Sequence, residues 1–284
     1  MRLAMSLPHQ QPDGSVLTFA QVAERARLIE HVGFDGIWIG DSIGRGPRPR
    51  PDPLMYLAVA AAATERVEVG TAILQAPLRH PVELAQRLLT LHGLSGGRFA
   101  AGLGAGSTQA DFDAVGADYA GRFRAFDESL TIMRRLFRGE QVGAANLQPW
   151  PDTLGGPPVL IGSWHSGQWV RRAAREFDGW IASGLTSFNA MSEGIQRYRD
   201  AGGKRAVLGT VSVDLRAPIA SLADDAPFHL RCGLDQAGER LQRIVDLGYD
   251  DVLLTNLNHT VADITEADLV SLRALVKPNG GLYT

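Results

Sequence analysis

Residues 79–107, RHPVELAQRLLTLHGLSGGRFAAGLGAGS, decide the fold. They read as helix, tight turn, strand and glycine loop. Val82, Leu84, Ala85, Leu88, Leu89 and Leu91 recur at helical spacing and form a wide apolar stripe. Pro81 suits a helix start, where its missing N–H costs nothing. Ser95-Gly96-Gly97 supplies the turn. The short apolar strand at 98–103 empties into Gly102-Leu103-Gly104-Ala105-Gly106-Ser107. Two readings of these glycines stand side by side: close packing at a strand-to-helix turn, or bare amides offered to a phosphate. The dinucleotide fingerprint is not among them, because Gly102, Gly104 and Gly106 do not have its GxGxxG spacing.

Outward from this stretch the same alternation repeats. The pattern predicts strands at 3–7, 35–40, 67–74, 98–103, 159–161, 178–182, 206–214 and 249–255. It predicts helices at 19–32, 54–63, 79–93, 123–137, 167–177, 188–201, 235–247 and 266–276, with Thr18 as an N-cap and Gly33 as a C-terminal stop. The strands are short apolar runs, as expected where both faces are buried. Strand–helix alternation implies parallel strands with crossover helices, and eight repeats in 284 residues favour one closed (β/α)8 barrel spanning 1–284. The segments 143–158 and 216–232 lack a period of their own and read as excursions.

Composition narrows the function. The net charge is −3, with both signs interspersed, which gives no nucleic-acid footprint. Cys232 is the lone cysteine, so no disulfide framework or cysteine metal site forms within one chain. No signal peptide precedes the first strand and no apolar run is long enough for a membrane span; a cytoplasmic protein is expected. In such a barrel, chemistry sits where the strands end. His9 follows strand one, and Asp41, Ser42, Arg45, Arg48 and Arg50 follow strand two. Ser163, Trp164, His165 and Ser166 follow strand five, Ser183 ends strand six, and Asn256, Asn258 and His259 follow strand eight. No HxH pair or carboxylate cluster asks for a metal. There is no GxSxG elbow, and neither lysine, Lys204 nor Lys277, ends a strand. The remaining reading is a pocket for an organic cofactor. Trp38 and Trp180, inside strands, are assigned to the core.

Five blocks resemble the bacterial luciferase-like flavin monooxygenases and their deazaflavin-dependent relatives. They are GFDGIWIGDS (33–42), AAAATERVEVGTAIL (60–74), PLRHPVELAQRLLTLHGLSGGRFAAGLGAGS (77–107), AAREFDGWI (173–181) and AGERLQRIVDLGYDDVLL (237–254). The resemblance implies a (β/α)8 barrel, reduced FMN at its C-terminal mouth and a homodimer packed through early helices. It also implies a separate flavin reductase as partner and oxidation of a small-molecule substrate with oxygen. The deazaflavin coenzyme F-420, used for hydride transfer, is the alternative; a non-catalytic flavin-binding barrel is a third reading. Carried over by position, Ala72-Ile73 matches a non-prolyl cis peptide that backs the flavin ring. Gly104, Ala105, Gly106 and Ser107, with Gly162, Ser163, Trp164, Ser166 and Gly167, match the loops that hold the phosphate. Ser42 stands where many relatives carry a catalytic histidine, and Ala105 where luciferase has a phosphate-binding arginine. The catalytic candidates are therefore His9, Asp41, Ser42 and His165, and Arg79 is one candidate for the phosphate charge. Arg48, Arg50, Asn256 and His259 are expected at the substrate.

Overall fold

The structure is a computed structural model and describes residues 1–44, 49–218, 221–256, 260, 262 and 264–276. Its organising unit is a parallel sheet that closes on itself. The barrel wall is β1 (Arg2–Ser6), β2 (Gly36–Ile39), β3 (Glu68–Thr71), β5 (Phe99–Gly104), β6 (Val159–Ser163), β7 (Gly179–Ser183), β8 (Ala206–Asp214) and β10 (Asp251–Asn256). Each strand pairs with the next in that order, and β10 pairs with both β8 and β1, which completes the expected (β/α)8 barrel. Two short strands, β4 (Leu74–Gln75) and β9 (Leu230–Arg231), extend the wall at β5 and β8.

The helices follow the sequence pattern. They are α1 (Phe19–Val32), α2 (Pro53–Ala63), α3 (Pro81–Leu94), α4 (Gln109–Val115), α5 (Arg122–Phe137), α6 (Gln168–Glu176), α7 (Phe188–Asp200), α8 (Leu234–Leu247) and α9 (Glu266–Ala274). Thr18 caps α1 in a reciprocal box with Gln21, and Gly33 ends it at φ +94°. Only α4 was not expected. Seven residues give too little periodicity to stand out, and Gly116 at φ +69° is its one sequence mark. The strand expected at 67–74 is interrupted at Ala72-Ile73, whose peptide bond is cis as the resemblance implied, and continues as β4. Among the described residues no helix is long and apolar enough to cross a membrane.

Side chains alternate across the wall. One set, including Leu3, Met5, Ile37, Leu103, Ile161 and Trp180, meets the helices. The other, Ala4, Trp38, Ala100, Leu160, Ile181, Val207 and Leu253, fills the barrel with Ala72 and Ile73 beside it. Trp38 fits because Gly36 and Gly70 lie under its ring; a Cβ at either would come within 2.7 and 2.6 Å of it. The alternation is reset once. Between Val252 and Leu254 on β10 the register on β8 advances from Leu208 to Val211, a bulge at which Thr210 has φ +63°. Gly209 faces inward beneath Ile181 before the bulge. Val211 faces the helices after it.

Where the strands begin, charge closes the barrel. Arg205 donates to Glu68 at 2.7 and 2.9 Å and to Asp251 at 3.0 Å through two nitrogens. Arg2 lies 3.3 Å from Asp251 and 3.6 Å from Glu68. Burial works against the Arg205 charge, but Asp251 and Glu68 outweigh it and raise its pKa above the ordinary arginine value. Replacing Arg205 by leucine leaves both carboxylates with Arg2 alone. The expected loss is about 3 kcal/mol in chemical denaturation, since breaking a buried pair strands a charge. A loss below about 1 kcal/mol would mean that Arg2 suffices.

Candidate functional site

At the C-terminal mouth the inward positions fall into two halves. On one side stand Gly40, Ile73, Gly104 and Gly162. Ile73 lies across the two latter glycines: a Cβ at Gly104 would be 2.7 Å from its Cδ1, and one at Gly162 would be 2.3 Å from its Cγ2. A Cβ at Gly40 would meet the Ala72 carbonyl at 3.2 Å. This half is therefore backbone and one aliphatic side chain. The other half continues the inward alternation of β7, β8, β10 and β1 and presents Ser183, Ser212, Thr255 and Ser6.

The glycine loop extends from the first half. Gly106 has φ +82°, and a Cβ there would strike Gln75 Oε1 at 2.4 Å and Phe112 at 2.8 Å, so packing alone requires glycine. Arg122 was not anticipated here. Its Nε donates to the Gly106 carbonyl at 3.2 Å, and its guanidinium stacks 4.0 Å from the Tyr119 ring centroid. The Tyr119 hydroxyl donates to the Ser107 carbonyl at 3.1 Å. Both loop carbonyls are thus tied back. No carboxylate lies within ion-pair distance of Arg122 among the described residues. After the neighbouring strand β6, α6 opens at Gly167, φ +104°, with no side-chain cap on its first amides. Ser166 and Ser107 are exposed, Trp164 is 52% exposed, and Ala105 is buried. Ser163 faces the helices, where its hydroxyl accepts from Trp180 Nε1 at 3.0 Å.

Asp41 and Ser42 are committed to the scaffold. The Asp41 carboxylate, 2% exposed, receives Arg79 in a two-bond fork at 2.6 and 3.0 Å, plus the Gln75 amide at 3.0 Å. The fork also takes up Arg79, the candidate for the phosphate charge. Ser42 donates to Asp111 at 3.0 Å, and the same carboxylate accepts the amides of Ile43 and Gly44 and the Gln75 side chain. Burial raises the Asp111 pKa, but these four bonds outweigh it and lower the pKa overall. No sequence signal pairs Asp41 with Arg79, because 38 positions separate them.

The histidines separate. His165 is buried between the Trp180 ring, 5.4 Å away edge-on, and the backbone of Gly194, where a Cβ would come within 2.6 Å. That places it in the layer between sheet and helices, not in the mouth. Arg197 donates to its carbonyl. Burial, aided by Arg197, pushes the imidazole down to about 4, so it is neutral in the fold. His9 is buried beyond β1, with Arg50 Nη1 3.4 Å from its Nδ1. Asn256 is buried at the end of β10; its Nδ2 donates to the Thr260 carbonyl at 2.8 Å, and its Oδ1 has no hydrogen bond. Arg45, Arg48, Asn258 and His259 lie outside the described residues.

Comparison with known proteins adds to this geometry. The family model for luciferase-like monooxygenases matches residues 1–230. Over 150 residues the chain is 32% identical to 4-hydroxyprotoasukamycin monooxygenase of Streptomyces nodosus subsp. asukaensis, covering 49% of this chain and 40% of that protein. Over 125 residues it is 34% identical to the F420-dependent glucose-6-phosphate dehydrogenase of Beutenbergia cavernae, covering 40% of this chain and 36% of the relative. The matched stretches thus span about two fifths of these relatives. The fold superposes, with a TM-score of 0.76 at 17% identity, on the oxygenating constituent of 3,6-diketocamphane monooxygenase from Pseudomonas putida, a type II Baeyer-Villiger monooxygenase in complex with FMN; 97% of this chain and 96% of that one are covered. At that identity the likeness is one of fold.

Two outcomes test the geometry. Gly162→Ala should destabilise by about 1–3 kcal/mol through overpacking, and Ile73→Ala should recover most of that cost in the double variant. Additive losses in denaturation would separate the two residues. Below pH 6.5 an unfolded histidine takes up a proton that His165 refuses until about pH 4. Stability should therefore fall with falling pH across that window, with His165 contributing up to about 1.4 kcal/mol per unit. His165→Leu should flatten the profile; an unchanged slope would exclude this contribution.

Proposed function

Because the chain belongs to the luciferase-like monooxygenase family, we propose that it is an oxidoreductase that holds reduced FMN against the glycine-floored half of its mouth and oxidises a small organic substrate with oxygen. The family has both flavin- and F420-dependent members. The observation that carries the reading is the wall of Gly40, Gly104 and Gly162 around the Ala72-Ile73 peptide. A planar ring needs a flat face, and these glycines, with Ile73 lying across two of them, supply one.

The other parts suit the rest of such a cofactor. The uncapped amides of α6, opening at Gly167 beside Ser166, favour an anion. Arg122 adds a positive charge at the loop of Gly104, Ala105, Gly106 and Ser107. Trp164, just after β6, presents an exposed ring. When bound, the reduced cofactor supplies the electrons for oxygen or hydride chemistry. The chain binds, orients and shields it. His9 is the proton-holding group we assign to the mouth, since Asp41 and Ser42 are spent on Arg79 and Asp111 and His165 faces the helices. Arg50 is assigned to the substrate, whereas Asn256 shares the helix-facing side of β10 with Leu254. A second reading, F420-dependent hydride transfer, is favoured by the 34% identity to an F420-dependent dehydrogenase.

Titration of the purified protein with FMN, reduced FMN, riboflavin and F420 tests both. FMN should bind more tightly than riboflavin. Arg122→Met should weaken FMN about tenfold, the scale of one charge-assisted hydrogen bond, and leave riboflavin unchanged. Equal losses for both would remove Arg122 from the phosphate. Tighter binding of F420 would move the assignment to hydride transfer, and binding of none would overturn it.

A further inference from the structure

Across the mouth from the glycine half, four adjacent strands each present a hydroxyl. Ser6 on β1 continues the inward face of Ala4, Ser183 on β7 that of Ile181, and Thr255 on β10 that of Leu253. Ser212 reaches this face only because of the bulge at Thr210. Without the extra residue β8 would turn Val211 inward; with it, Val211 and Val213 pack against the helices and Ser212 pairs with Thr255. Neighbouring parallel strands lie about 4.8 Å apart, so the two hydroxyls stand side by side.

The four are not equally engaged. Ser6 donates to the Leu7 carbonyl at 3.3 Å, and Ser183 accepts the Leu185 amide at 3.2 Å. Ser212 and Thr255 make no side-chain hydrogen bond among the described residues, although Thr255 is only 7% exposed. Neither oxygen is sealed from solvent. Hydroxyls so placed call for a partner that brings its own polar atom, and a hydroxyl both donates and accepts.

Charge narrows the partner further. None of the eight inward positions at this level of the mouth carries a charged side chain; the next inward position of β8 is Asp214, whose carboxylate accepts the Arg216 amide at 3.0 Å. The carboxylates that approach from outside are already taken, Asp41 by Arg79 and Asp111 by four donors. A carboxylate or an ammonium held against Ser212 and Thr255 would be stripped of water against two neutral hydroxyls, while the charged groups nearest in the fold, Asp214 and Arg50, already meet the Arg216 amide and His9.

We propose that Ser212 and Thr255 form a substrate-binding pair that selects an uncharged small molecule through its carbonyl or hydroxyl oxygen, with the hydrocarbon part turned toward the cofactor on the glycine half. This rests on the reading of the glycine half as the cofactor's side. The hydroxyl arc sets the polarity of the substrate, and the bulge at Thr210 makes that polarity possible.

The test uses cyclohexanone, cyclohexanol, cyclohexanecarboxylate and cyclohexylammonium, titrated calorimetrically into the protein with and without FMN. The two neutral probes should bind and the two ions should not. The Ser212→Ala/Thr255→Val double variant should lose about tenfold or more in affinity for cyclohexanone, the worth of two hydrogen bonds, with FMN affinity within about twofold of the parent. Ser212→Thr/Thr255→Ser should restore the neutral probes, and matching thermal midpoints establish that all variants fold. Tighter binding of either ion, no binding of either neutral probe, or an unchanged affinity in the double variant would overturn the proposal. A fall in FMN affinity with cyclohexanone unaffected would overturn it too, by giving the hydroxyls to the cofactor. Failure of FMN to bind the parent, with the loss of cyclohexanone affinity still seen in the variant, would sink the cofactor reading and leave this one standing.

Discussion

Several of the large side chains that enter this barrel lie over glycines. Trp38 lies over Gly36 and Gly70, Ile181 over Gly102 and Gly209, and Ile73 over Gly104 and Gly162. The interior of an eight-stranded barrel holds little more than its own side chains, so bulk on one strand must be met by absence on its neighbours. This exchange has a functional consequence at the top layer. Because Ile73 occupies the space that two side chains would have filled, one half of the mouth is left flat. The glycines of GLGAG are thus fixed first by packing, and whatever ligand the loop receives meets a surface that packing has already shaped.

Charge is distributed with the same economy. At the closed end Arg205 and Arg2 face Glu68 and Asp251 and seal the barrel beneath Trp38. At the open end the Asp41–Arg79 fork lies outside the wall and holds the end of β2 to the segment before α3, while Asp111 gathers Ser42, Ile43, Gly44 and Gln75. These carboxylates are consumed in positioning the strand ends. The mouth between them keeps hydroxyls on one side and backbone on the other. Arg122 stands at its edge, held by Tyr119 and the Gly106 carbonyl rather than by an acid. A cation with no acid partner, beside tied-back carbonyls and an uncapped helix start, favours an anion, which is what the proposed phosphate position requires.

Much of the scaffold was legible in the sequence. The stripe from Val82 to Leu91, the Gly33 stop, the Thr18 cap and the short apolar strands take the expected form, except that the run at 67–74 is broken at Ala72-Ile73. The resemblance located the cis peptide at Ala72-Ile73. Less legible was which way each residue faced. Asp41, Ser42 and His165 all follow strands, as catalytic groups in a barrel do, yet two are scaffold bonds and the third packs under α7. Arg122 escaped notice because it lies 16 residues beyond the loop it serves, at the start of a helix whose position in space no pattern reveals. The hydroxyl arc was invisible for a sharper reason. A one-residue bulge inverts every later side chain of β8, and only Thr210 marks it.

What the sequence determined by itself was the set of local choices: where each helix starts and stops, which runs are strands, and that eight such units alternate. Those are governed by side-chain periodicity and backbone freedom within a few residues, and both can be read along the chain. The tertiary structure alone decided which carboxylate meets which arginine, which glycine yields to which side chain, and which hydroxyls share the mouth. Those depend on strand register and on contacts between residues tens to hundreds of positions apart, and a shift of one residue would exchange the inside of the barrel for the outside.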